Sequence, residues 1–150
     1  MSDYEIDTFL WSELQAGLLR RRAAGELVNE GDLDWLNLAE EIDALGSQQR
    51  RDLASRIATI LLHLMKLAAS PSMAPRAGWR ETVRAQRDEL GLLLAESPSL
   101  RGHVPAVIAA AMGRARLRAG EALADYGEAP AVDLEALEFG VEQVVGDWWP

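Results

Sequence analysis

The sequence predicts an all-α fold: a compact up-down bundle of about five or six helices with short connections and no sheet. Three observations lead there. Apolar residues recur at three- and four-residue steps along nearly the whole chain, and no segment sustains the period-two alternation of a strand. Ala, Leu, Glu and Arg are abundant while Val, Ile and Thr are sparse, which favours helix over strand. Breaking residues gather in a few short stretches, SPSMAP, SPSL and GEAPAVD, and leave long helical windows between them. At 150 residues the chain can bury one sizeable core, so residues 1–150 are expected to form a single helical domain.

The first helix is carried by Tyr4, Asp7, Trp11, Leu14 and Leu18, and it ends in Arg20-Arg21-Arg22. Basic residues suit a helix C-terminus, where unpaired carbonyls carry partial negative charge. Gly25 to Gly31 reads as a connection. Asp32 or Asp34 can cap a second helix whose core stripe is Trp35, Leu38, Ile42 and Leu45, with a stop or bend at Gly46. A third helix is expected from about Ser47 to Ala69, with Leu53, Ile57, Ile60, Leu61, Leu64 and Leu67 inward. SPSMAP ends it, because two prolines in six residues cannot continue a helix. A fourth helix covers roughly Gly78 to Ala95 on the stripe Trp79, Val83, Leu90 and Leu94. SPSL restarts the chain, and Pro105 starts or kinks a long helix with Ile108, Ala111, Met112, Ala115, Ala119, Ala122 and Tyr126 inward. So many alanines imply close helix approach. After the loop GEAPAVD a short helix and the aromatic tail Trp148-Trp149 close the chain.

Composition narrows the function classes. With no cysteine, disulfides, thiolate zinc sites and cysteine nucleophiles are excluded. No apolar run reaches the length of a spanning helix, so no membrane partner is expected. The acidic start MSDYEIDTFLW lacks the pattern of a signal peptide, which points to the cytoplasm. Net charge is −9 and unevenly spread. Residues 1–46 hold 11 acidic and 3 basic residues, residues 47–118 hold 5 and 12, and residues 119–150 hold 8 and none. The basic middle is expected to be neutralised by the acidic ends, in cis or across a dimer. Nucleic acid is not an expected partner, because the overall acidity repels phosphate backbones.

The motif LLHLMK (residues 61–66) places an imidazole and an ammonium inside the most apolar run of the chain. On a helix, Asp52, Arg56, Thr59, His63 and Lys66 fall on one polar seam. Glu41 borders the core face of the preceding helix, and Arg87 lies within the apolar stripe that begins at Trp79. A charge at such a position demands a partner. The expected arrangement is therefore a half-buried cluster of Glu41, Arg56, His63, Lys66, Trp79 and Arg87. As architecture it fixes helix register, and Glu41→Ala is then expected to cost about 2–4 kcal/mol by stranding buried cations. As a site, its excess of cations suits an anionic ligand, with His63 titrating near neutrality. Neither histidine has a Glu three residues before it, and HExxH, GxxxxGK[ST] and GxGxxG are missing, so no metal and no cofactor is expected. Arg20-Arg21-Arg22 and Arg114, Arg116 and Arg118 are short basic clusters, read as solvated helix ends or faces with phosphate binding as the alternative.

The blocks YEIDTFLWSELQAGLLR, DWLNLAEEIDALGSQQRRDLASRIATILLHLMK, WRETVRAQRDELGLLLAESPSL and EQVVGDWWP together resemble the family named domain of unknown function 29. Its members are short all-helical bacterial and cyanobacterial proteins. The resemblance implies a compact helical domain and brings no catalytic residues with it. Its motif positions fall on Tyr4, Asp7, Trp11, Glu41, Leu45, Gly46, His63, Lys66, Trp79, Arg87, Pro98, Ser99 and Leu100. The family commonly carries an aromatic after Lys66, where this chain has LAAS. The expected function is a non-enzymatic interaction or regulatory module that binds itself, as a homodimer, or another protein. The alternative is a small ligand-binding protein or enzyme using Glu41, His63, Lys66 and Arg87 on an anion.

Overall fold

The structure, a computed structural model, describes residues 2–150. Met1, the first residue of the expected domain, lies outside the described residues. Six α-helices and no strand occur among the described residues: α1 (Asp3–Ile6), α2 (Thr8–Ala23), α3 (Trp35–Ala69), α4 (Arg76–Glu96), α5 (Val104–Asp125) and α6 (Val141–Val145). The all-α expectation holds. None of these helices is long and apolar enough to cross a membrane. The chain gathers into two compact units, Met1–Gln48 and Gln49–Pro150.

In the N-terminal unit the first predicted helix is two. Ser2 and Glu5 form a reciprocal capping box on α1, and Asp7 then leaves the helical conformation to cap α2 by accepting from the Leu10 amide at 2.9 Å. The end of α2 follows from Gly25, whose φ of +86° is cheap only for glycine. Gly25 N–H donates to Arg22 and Glu26 N–H to Arg21, closing the helix as a Schellman turn. Gly127 (φ +70°) ends α5 in the same way. The core of this unit is small. Trp11, Gln15 and Leu33 are buried, and the Gln15 amide donates to the Asp32 carbonyl while accepting from the Asp34 amide.

Two expectations are overturned here. The helix does not stop at Gly46: α3 is continuous, so the second and third predicted helices are one. A glycine without a proline or a competing cap costs a helix only about 1 kcal/mol, less than the surrounding good helix formers supply. The stripe expected to face a core does not. Trp35 is 56% exposed, Ile42 70% and Leu45 65%, and only Leu38 is half-buried.

The C-terminal unit holds the main core. Residues 49–69 of α3 bury Leu53, Ile57, Ile60, Leu61, Leu64 and Leu67 as expected, against Trp79, Val83, Leu90 and Leu94 of α4. From α5, Ile108, Met112, Ala115 and Ala119 are inside, but Tyr126 is exposed and Leu123 is fully buried. The buried stripe follows four-residue steps near the helix end, and Gly127 turns the chain out just after Tyr126. SPSL forms a 3₁₀ turn, Pro98–His103, before Pro105 opens the first turn of α5. The acidic C-terminal stretch packs on the basic helices of its own unit. Arg116 Nε and Nη2 donate to the Leu137 carbonyl, Glu138 lies 3.8 Å from Arg116, and the Ser70 hydroxyl donates to Glu128.

Candidate functional site

The expected cluster does not assemble as one group. Glu41 is exposed and accepts a 2.6 Å hydrogen bond from the Tyr4 hydroxyl, both residues belonging to the N-terminal unit. That bond, with the negative charges of Glu41 and Glu40, raises the Tyr4 pKa. α3 is continuous through Gly46, so Glu41 and the seam belong to one helix rather than two. The large loss expected for Glu41→Ala therefore has no basis, since an exposed carboxylate strands no buried cation.

The remaining members fall into four separate arrangements in the C-terminal unit. Arg56 pairs within its own helix, its Nε 3.1 Å from Asp52 Oδ1, and reaches Glu89 at 3.7 Å and Gln86 at 3.4 Å across to α4. The Nε–Asp52 contact is an ion pair too poorly aligned for a hydrogen bond, so this buried nitrogen makes none. Lys66 is 9% exposed, with Nζ 4.5 Å from the centroid of the Trp79 ring. It forms no ion pair among the described residues, and burial lowers its pKa. The ring face is its electrostatic partner.

Arg87 is engaged with backbone. Its Nε donates to the Val144 carbonyl at 3.0 Å, and its Nη2 to the carbonyls of Gln143 at 2.6 Å and Trp148 at 2.7 Å. These are carbonyls that α6 and the tail leave without helical partners, so a planar guanidinium ties the C-terminus to α4. Burial lowers the Arg87 pKa and the nearby Asp147 opposes the shift. Trp149 then packs against three arginines of α4, its ring centroid 4.4 Å from the guanidinium of Arg80, 5.4 Å from Arg84 and 4.9 Å from Arg87. The aromatic tail packs on its own unit.

His63 makes no hydrogen bond to Lys66 or Arg87 among the described residues. Its Nδ1 donates to the Thr59 carbonyl at 2.8 Å, which leaves Nε2 as the uncommitted ring nitrogen. It lines a cleft of about 410 Å³ between α3 and α5, together with Arg114 and Arg118. Sequence spacing singled out the arginine cluster but could not say that Arg116 would turn to Leu137 while its neighbours lined a cleft with His63. Among the described residues no three His, Asp or Glu side chains converge as metal ligands.

Burial lowers the His63 pKa most, the Thr59 carbonyl opposes that shift, and the Lys66 charge adds to it. An unfolded histidine takes up its proton near pH 6.5, whereas the folded one resists until lower pH. Below 6.5 the unfolded chain then binds more protons, so His63 costs stability as pH falls through that value. Urea unfolding at pH 7.5 and 5.5 is expected to show a fall in midpoint that His63→Gln reduces. An identical fall in both proteins would assign it to other groups.

A groove of about 1000 Å³ opens in the N-terminal unit. Its lining combines apolar Leu14, Leu18, Trp35 and Leu36 with the carboxylates of Asp3, Glu13, Asp32 and Asp34, against the single cation of Arg21. Trp35 also begins the exposed row Trp35, Ile42 and Leu45. A family model described as Domain of unknown function DUF29 matches residues 4–149 of the chain. No curated protein and no solved structure matches it.

Proposed function

The chain belongs to the DUF29 family, and from that premise we propose that it is a non-enzymatic, cytoplasmic interaction module whose N-terminal unit binds a basic amphipathic helix of another protein. The observation that carries this is the exposed apolar surface of that unit. Leu14 is 55% exposed and Leu36 81%, both lining the groove with Trp35, and Ile42 and Leu45 are exposed further along α3. Contiguous apolar surface of this kind on a helical unit marks an interaction site. The steps from Trp35 to Leu38, Ile42 and Leu45 are three, four and three, the spacing of a coiled-coil seam offered to a partner helix. Charge selects the occupant. Residues 1–46 carry 11 acidic and 3 basic residues, so a second copy of this unit meets like charge, while a basic helix is attracted.

The test uses the full chain and two labelled helical peptides with the same leucine seam, one with lysine and one with glutamate on the polar face. Fluorescence anisotropy is expected to show micromolar binding of the lysine peptide only. Leu14→Glu and Leu36→Glu are at exposed positions and add negative charge. Unspecific attraction would strengthen in these variants, whereas groove binding weakens by roughly tenfold or more. Equal or tighter binding by the variants overturns the assignment. So does a dimer of the wild type, seen by light scattering, that Leu14→Glu dissociates, since the apolar face would then belong to a second copy.

A further inference from the structure

The cleft between α3 and α5 departs from the composition of the protein around it. The chain has 24 acidic and 15 basic residues, yet no carboxylate lines this cleft, and Arg114, Arg118 and His63 all do. Arg114 and Arg118 stand one helical turn apart, a like-charge spacing that weakens a helix. Neither has an ion pair among the described residues, while Arg116 between them is held by the Leu137 carbonyl and Glu138. Apart from Leu62 the rest of the lining is small: Ala58, Ala110, Ala111 and Ala115 leave room where longer side chains would fill the space. At about 410 Å³ the cleft falls in the size range of small-molecule sites. The Thr59 hydroxyl is committed to the Ser55 carbonyl, and His63 Nδ1 to the Thr59 carbonyl, so the ring is held with Nε2 free.

We propose that this cleft binds a phosphate group, as the free ion or as the head of a small phosphomonoester, through Arg114, Arg118 and His63. Two guanidinium forks from α5 and an imidazole from α3 supply more donors and more charge than one carboxylate can accept. A tetrahedral dianion with three or four oxygens matches them. The alanines then face whatever the phosphate is attached to. The charged groups around His63 are Lys66 on its own helix and the two arginines that share the cleft, all cationic. Burial, with the Lys66 charge, discourages protonation of an unliganded His63, and a bound dianion opposes that shift. The site lies wholly in the C-terminal unit, so it stands or falls separately from the groove of the N-terminal unit.

The experiment titrates the full chain with inorganic phosphate and with phenyl phosphate by calorimetry, and follows the His63 ring protons by NMR against pH. Phosphate is expected to bind and to raise the His63 titration midpoint. Arg114→Gln with Arg118→Gln is expected to abolish the rise and weaken binding by roughly tenfold for each arginine removed. Both side chains are exposed and form no ion pair among the described residues, so unchanged thermal unfolding will show that the variant is folded. Arg101→Gln, an exposed arginine in the Pro98–His103 turn, serves as the control and is expected to bind as the wild type does. Tighter binding of phenyl phosphate identifies a phosphomonoester with an apolar group as the ligand class, and equal binding identifies the ion itself. No shift of His63 in the wild type, or equal affinity in wild type and double variant, overturns the assignment.

Discussion

Replacing Arg87 with alanine is expected to destabilise the C-terminal unit by about 3 kcal/mol. The side chain donates three hydrogen bonds, to the carbonyls of Gln143, Val144 and Trp148, from a half-buried position on α4. Charge-assisted bonds contribute roughly 1.5–3 kcal/mol each, but they share one guanidinium and the Trp148 carbonyl is reachable by water, so they do not simply add. The variant also removes one of the three cations packed on Trp149. Arg87→Lys keeps the charge and loses the planar fork, and so is expected to recover less than half of the loss. Urea unfolding measures the size of the effect, and limited proteolysis of residues 137–150 locates it. A loss below about 1 kcal/mol with an equally protected tail would contradict this role, because the tail would then be held by its apolar contacts alone.

Replacing Trp79 with alanine is expected to cost about 4 kcal/mol. The indole is 7% exposed and belongs to the central apolar cluster with Val83, Leu90 and Leu94, so truncation opens a cavity that the surrounding core collapses only partly to fill. It also removes the ring beneath Lys66, whose ammonium has no carboxylate among the described residues. Lys66→Met separates the two effects. Removing a nearly buried ammonium that lacks an ion pair is expected to leave stability within about 1 kcal/mol of the wild type. In the Lys66→Met background, Trp79→Ala is expected to cost less than in the wild type, the difference being the cation–ring term of about 0.5–2 kcal/mol. A strictly additive pair in chemical unfolding would show that the ring acts by packing alone.

Much of the C-terminal unit was legible in the sequence. Leu53 to Leu67 and Trp79 to Leu94 lie at helical spacing within long uninterrupted windows, and they are buried where that spacing puts them. The same spacing in Trp35, Leu38, Ile42 and Leu45 led to the opposite outcome, an exposed row. Periodicity states that a helix has an apolar face; it does not state whether the chain supplies anything to cover it. Gly46 was misleading for a related reason. A glycine permits a helix end, but here no left-handed turn or following proline enforces one, and α3 continues. Asp7, one member of the first apolar pattern, carried the signal of a break, since an aspartate before Thr-Phe-Leu is a good cap.

The candidate site was legible residue by residue and not as a set. His63, Lys66, Arg56 and Arg87 each meet a group of a different kind: a backbone carbonyl, a ring, a carboxylate and three carbonyls. Pairing charges by sign led to Glu41, because sequence displays carboxylates and hides the free carbonyls of helix ends.

The sequence by itself determined that this is an all-helical chain without cysteine chemistry, where most of its helices lie, and which family it belongs to. These follow from local propensity, spacing and a motif order that need no knowledge of how helices meet. Only the tertiary structure decided which polar side chains meet. The reason is geometric: a long flexible cation such as Arg87, Arg114 or Lys66 can reach partners on any neighbouring element, and its choice depends on the packing of helices remote in sequence. That packing placed Arg114, Arg118 and His63 in the lining of one cleft and bound Arg87 to the tail.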